Sequence, residues 1–119
     1  MNIKGAFCET YGNTIHNRIL EYILENKNID FAIGDMAKEL KISRPKAYDL
    51  MRYFESKEYI LKSRVVSKTQ LYRLNKENKR VRLFLHDFKE CLKLVVKEYS
   101  ENRKPSKAME DNRSAIRSY

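Results

Sequence analysis

Residues 35–51, DMAKELKISRPKAYDLM, constrain the fold more than any other stretch of this chain. Two short amphipathic patterns stand back to back, with room for only a tight turn between them. Met36, Ala37 and Leu40 share one helical face, and Ala47, Leu50, Met51 and Phe54 form a second stripe at helical spacing. A helix this short is marginal alone in water, so the two patterns need each other. Lys41 and Ile42 supply the turn. Ser43 is a favourable N-cap, and Pro45 is tolerated in the first helical turn, where its missing N–H has no intrahelical bond to lose. With the apolar stripes turned inward, Arg44, Lys46, Tyr48, Asp49 and Arg52 fall on the other faces of the second helix. The spacing predicts a helix-turn-helix whose second helix keeps an outer surface free.

The flanking segments extend this unit. Asn13 or Thr14 caps a largely buried helix carrying Ile15, Ile19, Tyr22 and Ile23 and ending near Asn26. In NIDFAIGD a very short strand at Phe31–Ile33 is expected, broken by Gly34, with Asp35 capping the next helix. Beyond ESKEY, the β-prone runs ILKSRVV and QLYRL are separated by Ser67, Lys68 and Thr69. They read as a hairpin with a basic tip, without the Gly or Asn usual in such turns. Asn75 and Asn78 offer caps to a long last helix. Its Val81, Leu85, Phe88, Leu92, Val95 and Tyr99 recur in steps of four and three, a heptad-like seam, with Phe84, Cys91 and Leu94 as a second apolar edge. A small domain with its own core cannot cover all of this, so a second copy of the chain is the expected cover. The expected fold is mainly α with a small β-hairpin: a winged helix-turn-helix over residues 1–78, a dimerisation helix over 79–100, and a polar tail over 101–119. Residues 1–13 are ambiguous, with Phe7 and Tyr11 suited to a core or to a partner.

The 119 residues suit one domain. The net charge of +9 is unevenly spread. Residues 41–57 hold five basic and two acidic side chains, and residues 60–82 hold eight and one, whereas residues 1–40 are net acidic. An excess concentrated between Lys41 and Arg82 suits a surface facing a polyanion. No stretch approaches the roughly eighteen consecutive apolar residues of a membrane span. The opening MNIKGAFCETYG has too short an apolar core for a signal peptide, and two cysteines do not make a disulfide framework, so a cytoplasmic protein is expected. No nucleophile–base pair, phosphate-binding Gly loop or carboxylate cluster suggests an enzyme or a cofactor. His86, Asp87, Glu90 and Cys91 lie close together on the last helix but are a sparse set for a metal, and none is expected there.

One resemblance adds to this reading. YGNTIHNRILEYILENKNIDFAIGDMAKELKISRPKAYDLM, followed by LYRLNKENKRVR, resembles the small archaeal winged-helix transcription regulators over roughly residues 10–95. The likeness is strongest at GNT, at ISRP and at LYRLNKEN. It implies a DNA-binding, usually dimeric regulator. The chain departs from that family at Lys41, where the turn often has Gly, and at the wing tip VVSKTQ, which lacks the usual Gly.

Site residues follow from the docking of such a unit on double-stranded DNA. Ser43 and the helix N-terminus suit a phosphate. Arg44 can donate to guanine O6 and N7, and Tyr48 can meet a thymine methyl or a phosphate. Asp49 can accept from cytosine N4 or pair with Arg52 or Lys46. Pro45, Lys46 and Arg52 complete the contact surface of the helix. Arg64, Lys68 and Thr69 are the wing's candidates, with Arg73 beside them, and Lys76, Lys79, Arg80 and Arg82 form a basic run into the last helix. The expected function is sequence-specific transcription regulation by a homodimer. The alternatives are a DNA partition or architectural protein, or a protein-interaction winged helix.

Overall fold

The computed structural model describes residues 5–103, with side chains described as far as residue 100. In chain order it forms α1 (Ala6–Tyr11), α2 (Ile15–Glu25), β1 (Phe31–Ala32), α3 (Ile33–Leu40), α4 (Arg44–Ser56), β2 (Ile60–Val66), β3 (Thr69–Leu74) and α5 (Lys79–Arg103). The strands make one antiparallel sheet in the order β1-β3-β2. This is a winged helix with a long C-terminal helix.

Local chemistry sets the start of α2 and α4. Thr14 accepts from the Asn17 N–H at 3.1 Å, and Ser43 accepts from the Lys46 N–H at 3.3 Å, each satisfying a donor that the first helical turn leaves free. The start of α3 differs from expectation. The helix begins at Ile33, directly from the strand, so Gly34 lies inside its first turn and Asp35 is not the cap. Burial of Ile33, Met36 and Ala37 on one face decides this, and Asp35 instead puts negative charge near the helix's positive end.

The turn between α3 and α4 closes with two backbone bonds, Lys41 N–H to Lys38 O at 3.2 Å and Ile42 N–H to Ala37 O at 3.0 Å. These bonds require a left-handed residue, and Lys41 takes that role at φ 59° and ψ 46°. The Arg18 guanidinium, from α2, donates to the Leu40 carbonyl and ties α2 to the turn. Ala37 and Ala47 are buried where α3 and α4 meet, and their small side chains let the helices approach. Ile19, Ile23, Met36, Met51, Phe54 and Ile60 fill the core, each side chain contributing about 1.5–3 kcal/mol by leaving water.

The hairpin turn holds two residues, Ser67 and Lys68, both at positive φ (49° and 69°). That is the geometry whose twist matches antiparallel strands, here made without Asn or Gly. Thr69 belongs to β3, opposite Val66, and not to the turn.

The segment 1–13, ambiguous in sequence, contains α1. Phe7 and Cys8 are buried, and α1 packs on α5. The buried Glu21 carboxylate accepts from the Cys8 N–H at 2.9 Å, directly below Gly5, where a Cβ would collide with Glu21 Oε2. Burial, then the neighbouring Glu21, pushes the Cys8 thiol up to about 12, so it is an inert core group.

Asn78 joins α5 to the end of α4. Its Oδ1 accepts from the N–H groups of Arg80 and Val81 at 2.8 and 3.1 Å, and its Nδ2 donates to the carbonyls of Lys57 and Glu58 at 3.2 and 3.1 Å. The expected seam along α5 divides. Val81 is wholly buried in the chain's own core, so it is not available to a partner. Leu85 and Phe88 are partly buried against that core, and Phe84 packs edge-on to Tyr59 at 5.3 Å. Leu92, Val95 and Tyr99 are exposed, together with Leu94 and Val96. The helix runs to Arg103, so a boundary at residue 100 falls inside it; residues 104–119 of the expected tail lie outside the described residues.

Candidate nucleic-acid interface

The N-terminal half of α4 faces the β2–β3 hairpin across an open cleft of about 890 Å³. Arg44 and Tyr48 line it from α4, and Lys68, Thr69 and Gln70 line it from the wing. Its floor is the start of α3, from Ile33 to Lys38, and the end of β1 at Ala32. Residues far apart in sequence thus meet: the α3–α4 turn delivers Arg44, and the two-residue hairpin delivers Lys68.

The side chains have distinct surroundings. Arg44 lies over Gly34, close enough that a Cβ there would stand 3.2 Å from both Nη atoms. Glycine at 34 therefore gives the guanidinium its resting place on the α3 backbone. Tyr48 is about one-third exposed at the cleft wall. Asp49 pairs with Arg52 at 2.5 Å, one of the two arrangements expected for it; both side chains are exposed, so the pair adds little to stability. Ser43, Pro45 and Lys46 are exposed at the start of α4 but do not line the cleft. Arg64 also stands outside the lining residues, and its Nε donates to Asp30 Oδ2 at 2.9 Å. The hydrogen bond from Ser63, then the contact with Arg64, holds the Asp30 carboxyl below the usual aspartate range.

Of the sequence-predicted site residues, Arg44, Tyr48, Lys68 and Thr69 are brought to one surface. The sequence reading missed Lys38, Gln70, Asp30 and Gly34. Lys38 had a signal, since it lies one turn beyond Gly34 on α3. Gln70, whose Nε2 donates to the Leu71 carbonyl at 2.8 Å and the Arg64 carbonyl at 3.2 Å, had none.

The basic run entering α5 is partly engaged: Lys76 Nζ donates to Asn28 at 2.5 Å, and Arg82 Nε donates to the Lys76 carbonyl at 3.1 Å. On α5, His86 stands 3.7 Å from Asp87 and 4.0 Å from Glu90, while Cys91 is buried. Among the described residues no group of three His, Cys, Asp or Glu side chains is placed to hold a metal ion. No described helix is long and apolar enough to cross a membrane.

No family model matches the chain, and no curated protein matches it. Solved structures do. The chain is similar to MepR of Staphylococcus aureus, a transcription regulator of the multidrug efflux pump MepA, with 22% identity and a TM-score of 0.55 over 82% of this chain and 76% of that one. A MepR mutant bound to an oligodeoxyribonucleotide matches at 17% identity and a TM-score of 0.54, over 84% of this chain and 74% of that one. The adhesin competence repressor AdcR from Streptococcus pyogenes matches at 12% identity and a TM-score of 0.56, over 80% and 69%. At these identities the likeness shows the fold. These neighbours are bacterial, whereas the sequence resemblance pointed to archaeal regulators.

Proposed function

We propose that the protein is a transcription regulator that binds double-stranded DNA as a homodimer, with α4 in the major groove and the β2–β3 wing along the adjacent backbone. The observation that carries this reading is the cleft that joins Arg44 and Tyr48 to Lys68 and Thr69. Its two walls, α4 and the wing, belong to the part of the chain that holds the basic excess. The cation-rich rim draws in a polyanion, and the exposed start of α4 is the end of a recognition helix that meets base edges. A MepR mutant of similar fold bound to an oligodeoxyribonucleotide supports the choice of partner. Arg44 reads a guanine edge, Tyr48 a thymine methyl or a phosphate, and Ser43 and Lys46 contact the backbone beside them. Asp49 and Arg52 act as a pair. Lys68 and Thr69 contact phosphate. The exposed Leu92, Val95, Val96 and Tyr99 on one face of α5 support dimerisation through that helix, since a row of apolar side chains in water favours a partner.

Equilibrium binding to duplex DNA across a salt series tests the reading. A dimer making about 6–10 phosphate contacts should lose about 10³- to 10⁵-fold in affinity between roughly 50 and 200 mM salt. Arg44→Ala should cost about 1–3 kcal/mol on the preferred site and relax one base position, while Lys68→Ala should weaken all sequences alike and lower the salt slope by about one. A flat salt response would exclude DNA as the partner.

A further inference from the structure

Asp30 sits in the segment before β1, and its carboxylate reaches the far edge strand of the sheet, β2. The register there is irregular. Lys62 pairs with Tyr72 and Val65 with Gln70, so Ser63 and Arg64 together oppose the single residue Leu71. This is a β-bulge. In a regular strand neighbouring side chains point to opposite faces, and one acceptor could not hold both. The bulge bends the strand and re-aims its side chains. Ser63 Oγ and Arg64 Nε accordingly donate to the same atom, Asp30 Oδ2, at 2.7 and 2.9 Å. From the other side, Gln70 Nε2 donates to the Arg64 carbonyl. The bulge is thus held at side chain and main chain, at the level where the wing leaves the body of the protein.

Arg64 gives only its Nε to this contact. Its two Nη groups have no partner among the described residues, and the side chain is 67% exposed. Asp30 is the more enclosed member, with its side chain 23% exposed. An anchored arginine with its outer fork free loses less freedom on meeting a phosphate than one that must first be ordered.

We propose that Asp30 is the positioning residue of the wing: its carboxylate locks the β2 bulge and presents the Nη groups of Arg64 to a DNA phosphate, so that an acidic residue beside the interface strengthens DNA binding. This rests on the DNA-binding reading above, and its sign distinguishes it from simple charge. A carboxylate near DNA repels phosphate, so removing it for charge reasons alone would tighten binding. Loss of positioning weakens it.

The test uses the full chain and a labelled mixed-sequence DNA duplex, with affinity read by anisotropy across a salt series. Asp30→Ala should weaken binding by roughly eightfold per protomer at about 0.1 M salt, the effect of losing one phosphate contact and about 0.9 of salt slope. Arg64→Ala should do the same, and the double variant should be no worse than either single one. Asp30→Asn keeps an acceptor oxygen for Ser63 and Arg64 while losing the charge, and should bind more tightly than Asp30→Ala. Amide hydrogen exchange over residues 63–71 reads the wing without DNA, and should quicken in Asp30→Ala and far less in Asp30→Asn. Tighter or unchanged binding by Asp30→Ala, in a chain whose wild type binds duplex DNA steeply with salt, overturns the positioning role and leaves the DNA reading intact. Should Asp30→Ala fail to fold, tighter or unchanged binding by Arg64→Ala overturns the positioning role in its place. Absence of salt-dependent binding by the wild type overturns the DNA reading itself, and unchanged exchange in the variants then removes the wing lock as well.

Discussion

Lys41 holds a left-handed conformation that costs a residue with a Cβ about 1–2 kcal/mol. Glycine avoids that strain but has more freedom to lose on folding, about 0.5–1 kcal/mol. Lys41→Gly should therefore stabilise the protein by up to about 1 kcal/mol, raising the melting temperature by a few degrees in a thermal scan. Lower stability would show that the lysine side chain offsets its backbone strain. The presence of this turn could be read in the sequence, but its geometry could not, because lysine gives no local signal for it. Ser43 and Pro45 were legible for the opposite reason: a capping hydroxyl and a proline in the first turn act on their own helix and need nothing distant. Ser67 and Lys68 hid a tight hairpin turn behind residues that seldom form one. Asp30 was invisible as a site residue, since its partners Ser63 and Arg64 lie more than thirty positions away.

Among the elements, α5 shows what periodicity can and cannot reveal. Its apolar steps predicted one continuous stripe, but only the first part of it lies against the chain's own core, and a period does not say what covers the rest. Val81 and Cys91 are buried within the chain's own fold, whereas Leu92 and Val95 are 44% and 38% exposed. A test of the dimer therefore belongs in the second group. Replacing Leu92 and Val95 together by Lys should give a folded monomer, because two unpaired charges per chain are costly inside an apolar interface. Sedimentation should show the halved mass, with an unchanged thermal scan in dilute protein. An intact dimer would move the interface elsewhere. Phe88→Lys would be a poorer probe, since that side chain packs partly against the body of the protein. The start of α3 was misread for a related reason: Gly34 looks like a break, but the backbone passes from the ladder opposite Leu71 straight into a helix whose buried face begins at Ile33.

Taken together, the helix-turn-helix, the wing and the first half of α5 share one core, and the second half of α5 continues from it without interruption. The concentration of positive charge between Lys41 and Arg82, legible from the start, now falls on α4, the wing and the root of that helix. In the proposed dimer, α5 is then both a gauge and a protractor. A helix advances about 1.5 Å and turns about 100° with each residue. One residue inserted after Cys91 would swing the whole exposed stripe about 100° relative to the DNA-binding head, and should leave pairing intact while weakening binding to an operator of two half-sites. Seven residues would return the stripe to within about 20° of its bearing but carry it about 10 Å further out. That second variant should still pair, and should select a different spacer between half-sites from a library of randomised spacer lengths. An unchanged spacer would show that the two heads are not rigidly joined to their helices. The distance between the two halves of the operator is, on this account, measured out by the peptide units between Val81, buried in the head, and the exposed stripe that begins at Leu92.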